Sequence, residues 1–481
     1  MTVASPRTGG SPFGLAAADR ERLAGRLVEG VRRARRTGEA VLVAVTVPVA
    51  GDVDPTAVVA ASRGAGEPWW VLEQPDREGS ALAALGCAAA LEAHGPDRFA
   101  SVAARWRALV GRALLDAPDG PRGSGAVAVG GFAFAPEGGA SPAWTGFRPA
   151  SLHVPEVALA RRGGEARLTT AALAGRDDQP ERLLERVEAR LDGLRAAALP
   201  LLDPHPAARV RVASAMPPEH YEAAVARAVE RIRAGALDKV VLAREVTVQA
   251  GTPHDPAAVL GVLREAFPAC HVLCVGRGDA SFVAASPELL VRRDGLRAAT
   301  LALAGSTGRS ADPAVDDHLG ERLLRSEKDR DEHAIVVRRI ERGLGRHAVW
   351  VTAAPEPVVV KIANIQHLAT PVRAQLSRPI AAVELAGALH PTPAVGGEPD
   401  AVAQPLIPAL EGMDRGWYAG PVGWTDANED GEFCVALRSA LLEGTVARCF
   451  AGVGVVRDSD PAAELAETEI KLQALLPILA A

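Results

Sequence analysis

Apolar and polar residues alternate along this chain in two patterns. Short continuous apolar runs are typical of buried strands, and apolar residues three and four positions apart are typical of helices with one buried face. In the first half these patterns predict strands at 39–48 and 125–134 and helices at 15–36, 78–93, 97–117 and 181–199. Few clusters there suggest chemistry, so we expect this half to be scaffold.

Prolines break the pattern at Pro200, Pro204 and Pro206, and such a cluster marks a boundary. We therefore predict a scaffold half at 1–205 and a second domain at 206–481. In that domain the patterns predict helices at 217–234 and 314–345, a last helix capped by Asp460, and strands at 239–248, 270–275, 281–292 with a turn in it, 419–424 and 433–443. The mixture indicates an α+β fold, an α/β sandwich with large, mainly antiparallel sheets flanked by helices.

Composition excludes several classes of protein. The 481 residues carry a net charge of −6 without a basic block, and aromatic residues are only 4%, which excludes a typical nucleic-acid surface. The apolar run at 40–50 is too short to cross a membrane. Five scattered cysteines indicate a reduced, cytoplasmic protein. Cys270 and Cys274, four apart in a predicted strand, do not converge on zinc.

Lysine is rare, since the 53 basic residues include only Lys239, Lys328, Lys361 and Lys471. Lysine can lose its proton inside a protein and arginine cannot, so each lysine marks a position where arginine would not serve, although chance explains any one of them. Lys239 begins an apolar run. In a dry cleft or beside another cation it would be neutral and could act as a base, and a structural role is the alternative.

Two predicted helices carry acidic clusters. Asp329 and Glu332 are three residues apart, as are Glu464 and Glu467, with Lys471 four residues further on, so each set shares one helix face. Two such helices facing one cleft would bind a hard divalent cation such as Mg²⁺. Solvated faces with intrahelical ion pairs explain the same spacing.

Two further residues and two glycine-rich segments suggest chemistry without deciding it. Glu288 interrupts an apolar strand, so it is either a strained surface residue or a buried acid with the raised pKa that a general acid needs. His367 is either a core histidine or a ligand. The glycine-rich segments at 305–308 and 452–454 could present backbone N–H groups to an anion.

Taken together, these segments resemble the chorismate-utilising enzymes in order and spacing from about residue 217 to the C-terminus. The segments are 237–244, 285–288, 303–306, 326–333, 366–368, 390–394, 417–420, 437–440, 451–454 and 467–472. The first half matches only through residues 130–132. The family includes isochorismate synthases, salicylate synthases, anthranilate synthase large subunits and aminodeoxychorismate synthases. The resemblance implies an anthranilate synthase component I-like fold, a chorismate-binding domain at 206–481 and a Mg²⁺ cofactor.

The resemblance also implies roles for individual residues. Glu332 and Glu467 would bind the metal, with Glu464 and Asp329 close by. The groups expected to contact the substrate, several of them through its carboxylates, are Gly305, His367, Ala394, Tyr418, Arg438, Gly452, Gly454 and Lys471.

Members of the family differ in nucleophile. Anthranilate synthases, which use ammonia, typically carry glutamine at the position of Lys239. Aminodeoxychorismate synthases commonly carry a nucleophilic lysine where Ala304 stands. The resemblance therefore implies water as the nucleophile, with Lys239 as the base that activates it and protonated Glu288 as the acid for the departing C4 hydroxyl. The implied enzyme is an isomerase, an isochorismate synthase acting on chorismate.

Three alternatives remain. A salicylate synthase would share the acid and base and then eliminate pyruvate, but such lytic members often carry threonine where Ala394 stands. An anthranilate synthase large subunit would need a glutaminase partner, and Lys239 argues against it. A non-catalytic scaffold would not need the intact set of acids and lysines. We expect no obligatory glutaminase subunit, no membrane or nucleic-acid partner and a monomer, while the product could supply menaquinone or a siderophore.

Overall fold

The structure is a computed structural model that describes residues 12–203 and 210–480. Its strands, in chain order, are β1 (Val41–Val49), β2 (Trp69–Gln74), β3 (Ser80–Leu85), β4 (Ala89–Ala93), β5 (Val127–Phe132), β6 (Ala150–Val154), β7 (Val157–Arg162), β8 (Glu165–Ala174), β9 (Arg211–Ser214), β10 (Lys239–Gln249), β11 (His271–Arg277), β12 (Ala280–Ser286), β13 (Leu289–Asp294), β14 (Arg297–Gly308), β15 (Ala348–Ala353), β16 (Val358–Ile362), β17 (Ile365–Leu376), β18 (Gly397–Glu398), β19 (Pro421–Asp426), β20 (Gly431–Val435), β21 (Ser439–Glu443) and β22 (Val446–Val455).

The helices flank these strands. They are α1 (Ala17–Thr37), α2 (Pro55–Ser62), α3 (Arg98–Val110), α4 (Pro180–Asp192), α5 (Pro218–Arg233), α6 (Pro256–Ala266), α7 (Pro313–Arg325), α8 (Glu327–Gly345), α9 (Ala382–Leu389), α10 (Asp400–Glu411), α11 (Pro461–Leu472) and α12 (Leu476–Leu479).

The strands form two large antiparallel sheets. The first has twelve strands in the order β1-β8-β7-β3-β2-β11-β12-β21-β22-β10-β18, with β9 beside β10. The second has ten strands in the order β15-β17-β14-β13-β20-β19-β5-β6-β4, with β16 beside β17. The pairings are antiparallel throughout these sheets. The predicted α+β class with mainly antiparallel sheets is confirmed.

The main core lies between the two sheets. Successive residues of a strand point to opposite faces, and in β2 Trp70 and Leu72 pack into this core while Trp69 and Val71 pack into a second one. The second core lies under α1, α4 and α6 on the outer face of the first sheet. Because both of its faces are covered, strands of the first sheet read as continuous apolar runs rather than as alternating ones.

Several predicted elements differ from the observed ones. The predicted helix at 78–93 is wrong, since this segment forms β3 and β4. Its alanines favour helix locally, but β3 is held between β2 and β7 inside the first sheet. The predicted helix at 314–345 is two helices, because Ser326 is extended and its side chain caps α8 at the amide of Asp329.

Two predicted strands are each two strands in the structure. The segment 281–292, predicted with a turn in it, forms β12 and β13, and the segment 433–443, predicted as one strand, forms β20 and β21. In each case one piece belongs to the first sheet and the other to the second. At each of these two segments the chain therefore crosses from one sheet to the other, and backbone hydrogen bonds hold the two crossings side by side.

The predicted boundary between 205 and 206 lies outside the described residues. Strands from before and after it share both sheets, since β2 pairs with β11 and β5 pairs with β19. The two halves are thus parts of one sandwich, and the assignment of separate roles to them stays a prediction. Among the residues described, no helix is both long and apolar enough to cross a membrane.

Candidate active site

The crossings within segments 281–292 and 433–443 bring Glu288 and Arg438 together. Glu288 lies between β12 and β13, and Arg438 lies between β20 and β21. The crossings are tied to each other, because the amide of Val435 donates to the carbonyl of Glu288 at 3.0 Å and the amide of Ala285 donates to the carbonyl of Arg438 at 3.1 Å. Arg438 has a φ of +49°, a left-handed conformation that is costly for a residue with a side chain and occurs often at functional sites.

A cleft of about 740 Å³ opens at this junction. Of the fourteen residues proposed from the sequence, eleven line it: Glu288, Gly305, Glu332, His367, Ala394, Tyr418, Arg438, Gly452, Gly454, Glu467 and Lys471. The other three, Lys239, Asp329 and Glu464, stand behind this lining. Every lining residue comes after residue 206.

Lys239 is fully buried at the first position of β10. Its Nζ lies 2.8 Å from Oε1 of Glu332, which reaches it from α8. This ion pair occupies Nζ, so the amine can reach another partner only when Glu332 turns away. The lysine that the sequence proposed as a base therefore lies directly behind the cleft lining, covered by the carboxylate of Glu332.

Gly454 leaves the space in which this ion pair sits. A Cβ at that position would lie 2.2 Å from Oε1 of Glu332 and 2.8 Å from Cε of Lys239. Because both side chains are buried and paired with each other, a methyl group here would force the pair apart. Glycine at this position of β22 is thus required by a close approach of side chains.

We expect Gly454→Ala to lower the kcat/KM of a reaction catalysed at this cleft about a hundredfold or more, because a displacement of about 1 Å in a catalytic group has that effect. Steady-state kinetics on the purified variant would measure it. Gly345→Ala is the matched control, since a Cβ at Gly345 meets nothing within 4 Å and its kinetics should equal those of the wild type. Wild-type kinetics for Gly454→Ala would contradict the steric explanation of this glycine.

Glu288 is a buried acid, with only 4% of its surface exposed. Burial raises the pKa of Glu288 to about 7, although the positive charges of Lys239 and Arg438 act in the opposite direction. The hydroxyl of Thr392 lies 3.5 Å from its Oε1. Near neutral pH a substantial share of Glu288 is therefore protonated, which a general acid requires.

His367 fixes the orientation of Arg438. Its Nδ1 lies 3.3 Å from the carbonyl oxygen of Gly305, and its Nε2 lies 2.7 Å from Nη2 of Arg438. A carbonyl only accepts and a guanidinium only donates, so the ring carries one proton, on Nδ1. Burial and then the charge of Arg438 hold the pKa of His367 far below its ordinary value. A neutral imidazole thus aims a guanidinium into the cleft, where it can bind a carboxylate.

Gly305 lies at an irregularity within β14, where the strand packs against Asp329 of α8. The strand carries a register shift between Ala304 and Ser306, and Gly305 has a φ of +73°. The shift presents the hydroxyl of Ser306 to Oε1 of Glu467 at 2.6 Å. Glycine is favoured at this position because it has no Cβ and therefore adopts a positive φ without steric cost.

Three of the four lysines pair with carboxylates around the cleft. Besides Lys239 with Glu332, Nζ of Lys328 lies 2.9 Å from Glu464, and Nζ of Lys471 lies 2.8 Å from Glu467 and 3.0 Å from the carbonyl of Gly452. Only the Lys471 pair is intrahelical, so the acidic faces are not simply solvated surfaces. The fourth lysine, Lys361, holds Asp316 at 2.8 Å and Asp317 at 2.6 Å outside the cleft.

The donor set suits a magnesium ion of few protein ligands. Within 12–203 and 210–480, no three histidine, cysteine or acidic side chains are grouped as a metal site. Glu332 and Glu467 nevertheless both face the cleft, and magnesium commonly takes one or two carboxylates plus waters and substrate oxygens. Burial, with the charges of Glu332 and Glu467 adding to it, raises the pKa of Asp329. A divalent cation would relieve that repulsion, so the residues fit the ion.

The sequence left some contributors to this site unassigned. Thr392 touches Glu288, Ser306 holds Glu467, and Lys328 holds Glu464. The rarity of lysine was a usable signal for Lys328. The two hydroxyl residues gave none, because serine and threonine are common and their partners lie far away in the chain.

Comparisons with known proteins agree on the kind of protein this chain resembles. The family described as chorismate binding enzyme matches residues 29–480. A salicylate biosynthesis isochorismate synthase of Pseudomonas aeruginosa is 38% identical over 459 residues, which cover 95% of this chain and 94% of that protein. The structure of MenF, the menaquinone-specific isochorismate synthase of Escherichia coli, aligns with a TM-score of 0.75 at 25% identity, covering 95% of this chain and 100% of that one. Anthranilate synthase component I of Streptococcus pneumoniae, at 22% identity, shares the fold with a TM-score of 0.58 over 74% of this chain and 80% of that one.

Proposed function

The chain belongs to the chorismate-binding enzymes, and from this premise we propose that it converts chorismate to isochorismate by adding water at C2 with loss of the C4 hydroxyl. The observation that carries the proposal is the presence of a buried lysine and a buried acid of raised pKa beside the same cleft. Lys239 and Glu288 are close enough for the lysine to lower the pKa of the acid. Ala304 lines the same cleft where a covalent mechanism would need a lysine.

The substrate carboxylates would be bound by the positive groups of the cleft. Arg438 is held in place by His367, and Lys471 is anchored by Glu467 and by the carbonyl of Gly452. Bidentate and charge-assisted hydrogen bonds from such groups fix both the position and the orientation of a carboxylate. Tyr418, which is buried and lines the cleft, adds a wall and a hydroxyl.

The proposed reaction uses one proton transfer on each side of the ring. Lys239, in its neutral form and freed from Glu332, accepts a proton from the attacking water as the water oxygen bonds to C2. Glu288 donates its proton to the C4 hydroxyl, which leaves as water. A bound Mg²⁺ would neutralise the ring carboxylate and orient the substrate, and Glu332 and Glu467 are the residues that would hold it.

Several finer features belong to the same proposal. Because water is the nucleophile, the enzyme needs no glutaminase subunit. The five cysteines are free, and four of them are buried, which suits a reducing compartment such as the cytoplasm. The isochorismate synthases of Pseudomonas aeruginosa and Escherichia coli are named for salicylate and menaquinone respectively, so either destination of the product is compatible with the same site.

Incubation of the purified protein with chorismate and Mg²⁺, without glutamine or ammonia, tests the proposal. We expect isochorismate by chromatography and no pyruvate in a lactate dehydrogenase assay. Stoichiometric pyruvate would identify a salicylate synthase instead. Turnover only after addition of ammonia would identify an anthranilate synthase-like reaction and refute water as the nucleophile.

Removal of one carboxylate should reveal the metal requirement. We expect Glu467→Gln to raise the Mg²⁺ concentration for half-maximal activity about tenfold or more, which corresponds to about 1.4 kcal/mol of lost binding free energy. A magnesium titration of the initial rate measures it. Glu469→Gln is the control, because Glu469 lies on the same helix but pairs with Arg244 instead. An unchanged titration for Glu467→Gln would reject its role as a ligand.

A further inference from the structure

We propose that Arg415 and Glu411 form a positioning pair that sets the spacing of the cleft walls, an inference that rests on the proposed function and deepens it. Neither residue lines the cleft. Both are buried, with 4% and 5% of their surfaces exposed. Arg415 lies in the segment between α10 and β19, and Glu411 is the last residue of α10.

The guanidinium of Arg415 bridges two walls of the cleft. Its Nη1 donates to the carbonyl of Val395 at 2.7 Å, and its Nη2 donates to the carbonyl of Val241 at 2.9 Å. Val241 and Val395 both line the cleft. Val241 is two residues from Lys239, and the Val395 segment includes Thr392, which contacts Glu288. The same side chain therefore links the segments that carry the base and the partner of the acid.

Glu411 fixes the guanidinium in this orientation. Its Oε2 accepts from Nε of Arg415 at 3.0 Å, and its Oε1 accepts from Nη2. The same Oε1 accepts from the backbone amide of Ala243 at 2.7 Å, which ties the pair to β10 a second time. The guanidinium also stacks near the rings of Phe134, at 4.3 Å, and Tyr418, at 5.8 Å.

A buried ion pair at this place is better explained by a role in positioning the cleft walls than by a contribution to stability. Burying two charges costs free energy that their attraction only partly offsets, and apolar residues of similar size often serve the fold as well. An arginine fork offers several donors in one fixed plane, which lysine does not. A pair that spans Val241, Val395 and Ala243 restricts how far the walls can separate. The structure thus assigns Arg415 and Glu411 a role in aligning acid and base.

Two variants separate this role from a purely structural one. Glu411→Gln/Arg415→Met removes both charges and keeps an acceptor for the amide of Ala243. Arg415→Lys keeps the charge but not the two-way bridge. For both we expect kcat to fall about tenfold or more while KM changes less than about threefold, since Arg438 and Lys471 still bind the substrate carboxylates. Activity is expressed per folded enzyme, measured by circular dichroism.

Arg264→Lys is the control, because the half-buried Arg264 also bridges carboxylates, those of Asp54 and Glu73, away from the cleft. Its kcat should equal that of the wild type. A wild-type kcat per folded molecule in both test variants would overturn the positioning role. If Arg415→Lys kept the wild-type kcat, a positive charge alone would be sufficient for activity and the bridging role of the guanidinium would be rejected.

Hydrogen exchange gives a readout that does not depend on the reaction. In the double variant we expect faster amide exchange in β10 and at 394–397, with unchanged exchange in α1 and β1. Unchanged exchange throughout would overturn the inference even for an active enzyme. Failure of the wild type to convert chorismate would refute the proposed function, and the exchange measurement would still decide whether the pair holds the walls.

Discussion

We expect Lys239→Met to lower kcat by at least about three orders of magnitude, near the upper end of what a positioned general base contributes. Methionine keeps an unbranched stem in the fully buried position of Lys239 but has no amine that can accept a proton. The variant also leaves Glu332 without its ion-pair partner at 2.8 Å, so we expect some loss of stability. A direct assay of isochorismate formation at saturating chorismate measures the effect.

The rarity of lysine provides a matched control. Lys361→Met removes a lysine that pairs with Asp316 and Asp317 outside the cleft, and it should leave kcat unchanged. Thermal denaturation of both variants separates loss of fold from loss of chemistry. A Lys239→Met enzyme that is folded and retains more than about a tenth of the wild-type kcat would show that another group activates water.

The effect of Lys239 depends on a feature that its local sequence cannot reveal. A lysine at the start of an apolar run predicts a buried amine but does not identify its partner. The ion pair with Glu332 joins β10 to α8, and Gly454 on β22 makes room for it. Three elements distant in the chain must meet before the lysine has a defined partner. Before the structure was known, only the resemblance to a family with a common fold could indicate that these three elements lie together.

The crossings between the sheets illustrate the same limit. Periodicity indicated apolar strands around Glu288 and Arg438, and strands are indeed present. Periodicity does not indicate which sheet a strand joins, because burial on both faces produces the same apolar run in either sheet. The site depends on the change of sheet at these two residues. Local sequence patterns could therefore identify candidate residues of the site, but they could not predict where in the fold the site lies.

Helix prediction failed where tertiary pairing outweighed propensity. The segment 80–85 is rich in alanine and leucine, which favour helix, yet it forms a central strand between β2 and β7. At Ser326 the opposite holds, since a serine before an acidic turn is a recognisable helix start, and the break between α7 and α8 could have been predicted. That break determines which face of α8 carries Glu332 toward the cleft.

We expect Glu288→Gln to lower kcat/KM by about two to four orders of magnitude, since an amide cannot donate the proton that the leaving hydroxyl needs. Glutamine preserves shape and keeps an oxygen near Thr392. Glu73→Gln is the matched control, because burial also raises the pKa of Glu73 but this residue lies on β2 away from the cleft lining. Steady-state kinetics of both variants, with circular dichroism for folding, would measure the difference.

The pH dependence tests the same residue by its sign. Burial raises the pKa of Glu288 to about 7, and the acid must be protonated to act, so wild-type kcat/KM should fall as pH rises through about 7. This limb should be absent from the residual activity of Glu288→Gln and present in Glu73→Gln.

The pH dependence of stability tests Glu288 independently. The folded protein retains the proton of Glu288 at pH values where the unfolded chain, in which the pKa of this residue is near the ordinary 4.5, has lost it. The free energy of unfolding should therefore decline between about pH 4.5 and 7, and less so in Glu288→Gln. A wild-type kcat/KM that rises across neutral pH without any falling limb, in an enzyme as stable at pH 7 as at pH 5, would show that Glu288 is ionised throughout and cannot be the acid.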